Sequence, residues 1–198
     1  MKRYDRAYYE HWYRNPAYRI GSAAVLKRKV SLAVALAEWV IDRPIKSVLD
    51  VGCGEGRWQP VLYRLRPKAS YLGIDSSEYA IERYGGRRNL RLGTFEELGQ
   101  HVFDRPFDLV VCSDVLHYLT RSQLVQGLEA LVPLVGGVAL LEAFTSEDDI
   151  EGDHHDFQRR SAATYRRLFS DAGLVPCGMQ SYVRADRAVD LTALELGL

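Results

Sequence analysis

Asp50, Gly52, Gly54 and Gly56 stand at alternate positions in Ser47-Val48-Leu49-Asp50-Val51-Gly52-Cys53-Gly54-Glu55-Gly56. Glycines at this spacing let the main chain turn tightly and let a ligand lie directly against backbone, the chemistry of a cofactor-holding loop. One crossover later a second acid, Asp75, ends the apolar run Tyr71-Leu72-Gly73-Ile74. A carboxylate there can accept hydrogen bonds from both hydroxyls of a ribose, and the competing reading is a helix cap made with Ser76 or Ser77. A P-loop is excluded because no Gly-Lys-Ser/Thr closes the loop, and the dinucleotide fingerprint has its third glycine one place later than Gly56. His117, in Ser113-Asp114-Val115-Leu116-His117-Tyr118, carries an imidazole and is the residue suited to act as a base. It reads equally as a polar loop residue bonded to backbone. His154 and His155 lie in the acidic stretch from Glu147 to Asp156, whose carboxylates favour imidazolium, a form suited to binding an anionic acceptor. Their spacing fits neither the calcium loop nor the zinc helix, so no metal is expected.

These residues need elements to hold them. The run 45–51 reads as a buried parallel strand, and Pro60 suits the opening turn of a helix that buries Val61, Leu62 and Leu65. Further strands are expected over 71–75 and 90–93, within 107–119 as a strand running into its C-terminal loop, and, after a turn at Gly136-Gly137, over 138–144. Thr120-Arg121-Ser122-Gln123 is a capping-box pattern that starts a helix. Helix over 159–172, a strand over 174–183 and a short strand in 191–196 complete the chain. Before the first strand, 22–40 reads as a long helix with Lys27, Arg28 and Lys29 on its solvated side. Tyr4, Tyr8 and Trp12 share one face of an N-terminal helix, which either packs on the domain or covers the site and helps form an acceptor pocket. Strands and helices alternate without a break in composition, the pattern of one α/β domain over 1–198 with helices on both faces of a mostly parallel sheet. Residues 1–44 are expected to form a helical cap and 45–198 the doubly wound core.

The spacing Asp50-x-Gly52-x-Gly54-x-Gly56, together with Gly73-Ile74-Asp75-Ser76-Ser77, resembles motifs I and II of the class I S-adenosylmethionine (SAM)-dependent methyltransferases of small-molecule type. The resemblance covers roughly 45–183 and implies a Rossmann-like sheet of seven strands with the last antiparallel. It also implies SAM as cofactor, S-adenosylhomocysteine as product, and transfer of a methyl group in line to an oxygen, nitrogen or sulfur of a small molecule. By the same resemblance Asp50, Gly52, Cys53, Gly54 and Gly56 surround the methionine and ribose portions, Asp75 and Ser76 the ribose, Thr94 and Phe95 the adenine, and Ser113 the sulfonium side. Thr94 departs from the family, which commonly carries an acid there. Tyr8, Trp12, His154 and His155 are the expected acceptor contacts, and His117 the catalytic residue. A SAM-binding scaffold without turnover is the alternative, and an NAD-type oxidoreductase is disfavoured by the glycine spacing.

Composition narrows the partners. Lys+Arg and Asp+Glu each number 26 in 198 residues, so no global positive field draws in nucleic acid. The motif Asn/Asp-Pro-Pro-Tyr/Phe of base amino-group methyltransferases is absent after the fourth strand, where Ser113-Asp114-Val115-Leu116 stands. Cys53, Cys112 and Cys177 are too few and too far apart for a disulfide framework. The polar N-terminus lacks a signal sequence and no apolar run could span a bilayer, so a cytoplasmic protein acting on a small molecule is expected.

Overall fold

The apolar run around Asp50 forms β1 (Ser47–Val51), every residue of which is buried. The computed structural model describes residues 3–18, 21–149 and 152–191. Among the described residues β1 is joined in one sheet by β2 (Ser70–Asp75), β3 (Leu90–Leu92), β4 (Phe107–Ser113), β5 (Val135–Glu142), β6 (Leu174–Gly178) and β7 (Ser181–Arg184). Their order is β3-β2-β1-β4-β5-β7-β6, and β7 alone of the seven runs against its neighbours. The order reverses at β1, between β2 and β4. In open α/β sheets a ligand lies at that switch, off the carboxyl ends of the strands.

Side chains alternate across the strands, so both faces must be covered. Val48, Tyr71, Leu109, Val111, Val138 and Leu140 face α2 (Ala23–Ile41) and α3 (Trp58–Leu65), with α4 (Glu78–Arg88) at the margin. Leu49, Val51, Ile74, Val110, Cys112 and Leu141 face α5 (Arg121–Leu131) and α6 (Ala162–Asp171). The helices start where the chain provides caps: Ser22, Ser77, Thr120 and Ser161 each accept from a backbone N–H of the first turn. Helix α2 buries Val30, Ala33, Val34 and Ala37 at i, i+3, i+4 and i+7, and so forms part of the sheet layer.

The structure corrects several local expectations. Gly136 and Gly137 lie inside β5, where a side chain at either position would run into the carbonyls of Phe107 and Asp108; the pair permits close strand approach and makes no turn. The strand expected over 174–183 is a hairpin, reversed at Met179 and Gln180, both with positive φ. Lys29 points inward: its ammonium reaches Glu142 at 2.6 Å and Ser113 Oγ at 3.3 Å, bridging the ends of β5 and β4. The strand expected in 191–196 lies outside the described residues beyond Leu191.

The N-terminal segment is α1 (Arg6–Tyr9) running into a π-helical turn (Glu10–Arg14) closed by the Asn15 N–H on the Glu10 carbonyl. The i to i+5 turn rotates the later rings away from an i, i+4 face. Tyr8 therefore meets Tyr13, at 6.3 Å between centroids, and Trp12 turns to His11 at 4.6 Å. Tyr9, unremarked in the helical pattern, is the buried member.

Candidate active site

Gly52, Gly54 and Gly56 carry φ of 73°, 54° and 69°, the left-handed region that glycine alone adopts without strain. That conformation curls the main chain after β1 into a shallow cup at the sheet's switch point. Asp75, at the end of the adjacent β2, ties the cup down: its carboxylate accepts the Gly54 N–H at 2.6 Å and the Ser77 N–H at 2.8 Å. Each oxygen keeps a second lone pair. Burial pushes this carboxyl above its ordinary value, while the two N–H groups pull it back. Among the described residues, then, the two motifs meet directly through a hydrogen bond.

Neighbouring side chains and the N-terminal segment frame the cup. Val115, just past β4, lies against Gly52 so closely that a side chain on the glycine would collide with it. Tyr9 lies on the other side, its hydroxyl 3.3 Å from where a Gly54 side chain would begin. Ser77 lies near that hydroxyl. Ser77 donates to the Tyr4 carbonyl, and Arg14 pairs with Glu55 inside the loop, so the N-terminal segment is strapped across the cup at both ends. A ligand laid on this side of Gly54 displaces Tyr9.

The remaining expected site residues fall in different places. Asp50 is 2% exposed and accepts the Tyr71 hydroxyl at 2.7 Å, beneath the loop rather than in the cup. The Cys53 side chain packs on Gly73 in the sheet, so only its main chain belongs to the loop. Ser76 is exposed beside Asp75. Thr94 donates its hydroxyl to Glu97 at 2.9 Å. The Phe95 ring is 3% exposed and fills the space beside Gly127 on α5, which removes it as a face for adenine; a core contact 32 positions away decides this. Ser113 donates to Glu142 and accepts from Lys29, an internal bridge between strand ends.

His117 is fully buried. Its Nδ1 accepts the Phe144 N–H at 3.4 Å, which leaves the ring proton on Nε2. Nε2 lies 3.2 Å from Asp114 Oδ1, off the line of a hydrogen bond. The ring is boxed by Tyr118, Phe144 and Phe157, and Asp114, one-third exposed at φ 65°, is the member of the pair that meets solvent. Sequence reasoning passed over Asp114 and Glu97. The signals available were an acid directly after the fourth strand and a Thr-x-x-Glu pattern. His154 lines a half-open cleft of about 470 Å³ with Thr145, Asp148, Phe157 and Arg159, whereas His155 is turned to Asp156. Among the described residues no group of three or more metal-ligating side chains converges.

Asp50 carries a measurable consequence. Burial pushes its pKa up to about 7, against the opposing hydrogen bond from Tyr71 and with a further push from Asp75. The unfolded chain ionises this group near 3.8 and the folded chain near 7, so its contribution is complete below the lower value and is lost as pH rises through the higher one. Stability should therefore fall by about 3 kcal/mol between pH 5 and 7.5, at ~1.4 kcal/mol per unit over the window. Urea titrations at both pH values check this. Asp50→Asn, which keeps an acceptor for Tyr71, should flatten most of the slope.

Comparison with known proteins matches this geometry. Residues 22–177 fit the family described as "Methyltransferase domain". Trans-aconitate 2-methyltransferase of Deinococcus radiodurans is 29% identical over 171 residues, covering 77% of this chain and 62% of that protein, so the chain spans about three-fifths of this relative's length. Among solved structures, a SAM-bound amino pentose methyltransferase from Micromonospora echinaspora superposes with TM-score 0.63 at 14% identity, covering 80% of this chain and 91% of its own. DesVI of Streptomyces venezuelae does so with TM-score 0.63 at 18% identity, covering 90% and 95%. At such identities the likeness is one of fold. The match across α2 through β6, on a sheet of the expected order with its glycine cup bonded to Asp75, shows that this chain belongs to the methyltransferase domain family.

Proposed function

We propose that the protein transfers a methyl group from SAM to a small-molecule nucleophile. The observation that carries this reading is the Gly54 N–H bonded to Asp75 at the end of β2, which brings a glycine bend, covered here by Tyr9, within one hydrogen bond of a carboxylate suited to ribose. When bound, SAM supplies a methyl group already activated on a sulfonium, so the protein's work is to align the acceptor and exclude water, worth ~7–11 kcal/mol when complete. In this reading Asp75 takes the ribose hydroxyls through its remaining lone pairs, and Gly52, Gly54 and Gly56 supply the surface. Thr94 and Glu97, joined by their hydrogen bond, offer the acceptor oxygens for the adenine amino group that the family's usual acid provides. The straps from Arg14 and Tyr4 hold the N-terminal segment as a cover over this ground.

A small acceptor suits the zero net charge better than a nucleic acid. No described helix is long and apolar enough to cross a membrane, and a cytoplasmic site of action is part of the same proposal. The test is incubation with SAM labelled in the methyl group against a fractionated metabolite extract. Label transferred to a small molecule supports the enzyme. Binding of SAM with no labelled product across all fractions would favour the scaffold reading instead.

A further inference from the structure

Helix α2 is apolar nearly all round, with Lys27, Arg28, Lys29 and Glu38 its only charged residues. A helix of that composition is ordinarily buried on every side. Here only one side is. Val30 and Ala37 are fully buried against the sheet, and directly opposite them Val25, Arg28, Leu32, Ala35 and Trp39 follow one another at alternating steps of three and four, all exposed. Trp39 is 81% exposed, Val25 42% and Leu32 38%. Among the described residues neither Arg28 nor Trp39 has a hydrogen-bond, ion-pair or ring partner. That alternation is the seam of a coiled coil with one helix in place.

We infer that this seam is a self-association surface, and that its occupant is α2 of a second copy of the chain, packed antiparallel across a two-fold axis.

The seam complements itself in one direction. An axis passing between Ala33 and Val34 sets Arg28 against the partner's Trp39 and Leu32 against the partner's Ala35, and the two-fold repeats both pairs in reverse. A guanidinium then meets an indole face, and a large side chain meets a small one. The turns that carry Lys27 and Arg28 come beside the partner's helix end and its Asp42, so that side-chain charges and helix dipoles both oppose. A parallel pair would set Arg28 on its own copy, like charge on like. The seam already holds both halves of the contact that it would ask of a partner, which favours a second copy over a different protein. It is also carried on a fixed element, because Lys29 ties α2 to Glu142 and Ser113, and Glu38 ties it to Arg66.

Sedimentation velocity on the whole protein is the test. One helix face makes an interface at the low end of specific sizes, so a Kd of about 1–100 µM is expected, and the mass should double from 22.5 kDa as concentration rises through that range. Leu32→Glu and Trp39→Glu should each abolish the dimer while leaving the circular dichroism spectrum and urea midpoint little changed, because both side chains are exposed. Arg28→Ala reads the direction of packing. It should weaken the antiparallel pair about fivefold by removing the contact with the partner's Trp39, whereas in a parallel pair it would relieve a like-charge clash and tighten association. A native chain that stays monomeric to about 500 µM, a dimer that persists in both glutamate variants, or tighter association in Arg28→Ala would overturn the inference. Self-association stands apart from the methyltransferase reading, which S-adenosylhomocysteine binding in the same samples tests separately.

Discussion

Asp75→Asn lowers the affinity for S-adenosylhomocysteine by roughly 100-fold in isothermal calorimetry. In the proposed function the native carboxylate accepts two ribose hydroxyls, each a charge-assisted hydrogen bond worth ~1.5–3 kcal/mol. The amide keeps one acceptor oxygen and turns an NH2 toward a donor, so roughly 2–3 kcal/mol of binding disappears. The same change disturbs the loop, because Gly54 N–H and Ser77 N–H each need an acceptor and the amide serves one. The expected cost in folding is about 1–2 kcal/mol, enough to see by urea titration and too little to unfold a protein of ordinary stability. Unchanged affinity in a folded Asp75→Asn protein would place the ribose elsewhere.

Gly52→Ala gives the largest effect on stability, a loss of roughly 2–5 kcal/mol. Two costs combine: the left-handed φ of 73°, about 1–2 kcal/mol for a residue with a side chain, and a methyl group driven into Val115, about 1–3 kcal/mol. The second cost is removable. Val115→Ala in the Gly52→Ala background should return about half of the loss, although alone it destabilises by opening space beside the loop. A double variant no more stable than Gly52→Ala would mean that the glycine is required for its conformation alone.

What could be read in advance was what neighbours in the chain decide. The cup needs only glycines at alternate positions, and the caps at Ser77 and Thr120 need only a polar side chain ahead of an apolar period, whereas Ser161 caps a helix expected to begin at 159. What escaped depended on partners distant in the chain. Phe95 follows β3, where an adenine contact was expected, yet Gly127 leaves a hole that its ring fills. Lys29 sits in a run of three basic residues, and only the fold brings Glu142 beneath it. Gly136 and Gly137 have the composition of a turn, but the close approach of β4 gives them their use. The hairpin after β6 turns on Met179 and Gln180, residue types that carry no turn signal. At the N-terminus a single π turn over Glu10–Arg14 takes Trp12 off the face it was expected to share with Tyr4 and Tyr8, a shift that no period of 3.6 predicts. His117 is the residue its chemistry selects, and burial withdraws it, leaving its neighbour Asp114 as the member of the pair that meets solvent.

The most direct measurement is a crystal structure of the protein with S-adenosylhomocysteine bound. The account predicts both ribose hydroxyls within about 3 Å of the Asp75 oxygens, the sugar lying on Gly54, and Tyr9 moved from its present place. S-adenosylhomocysteine bound away from Asp75, or on the cup with Tyr9 still against Gly54, would contradict it.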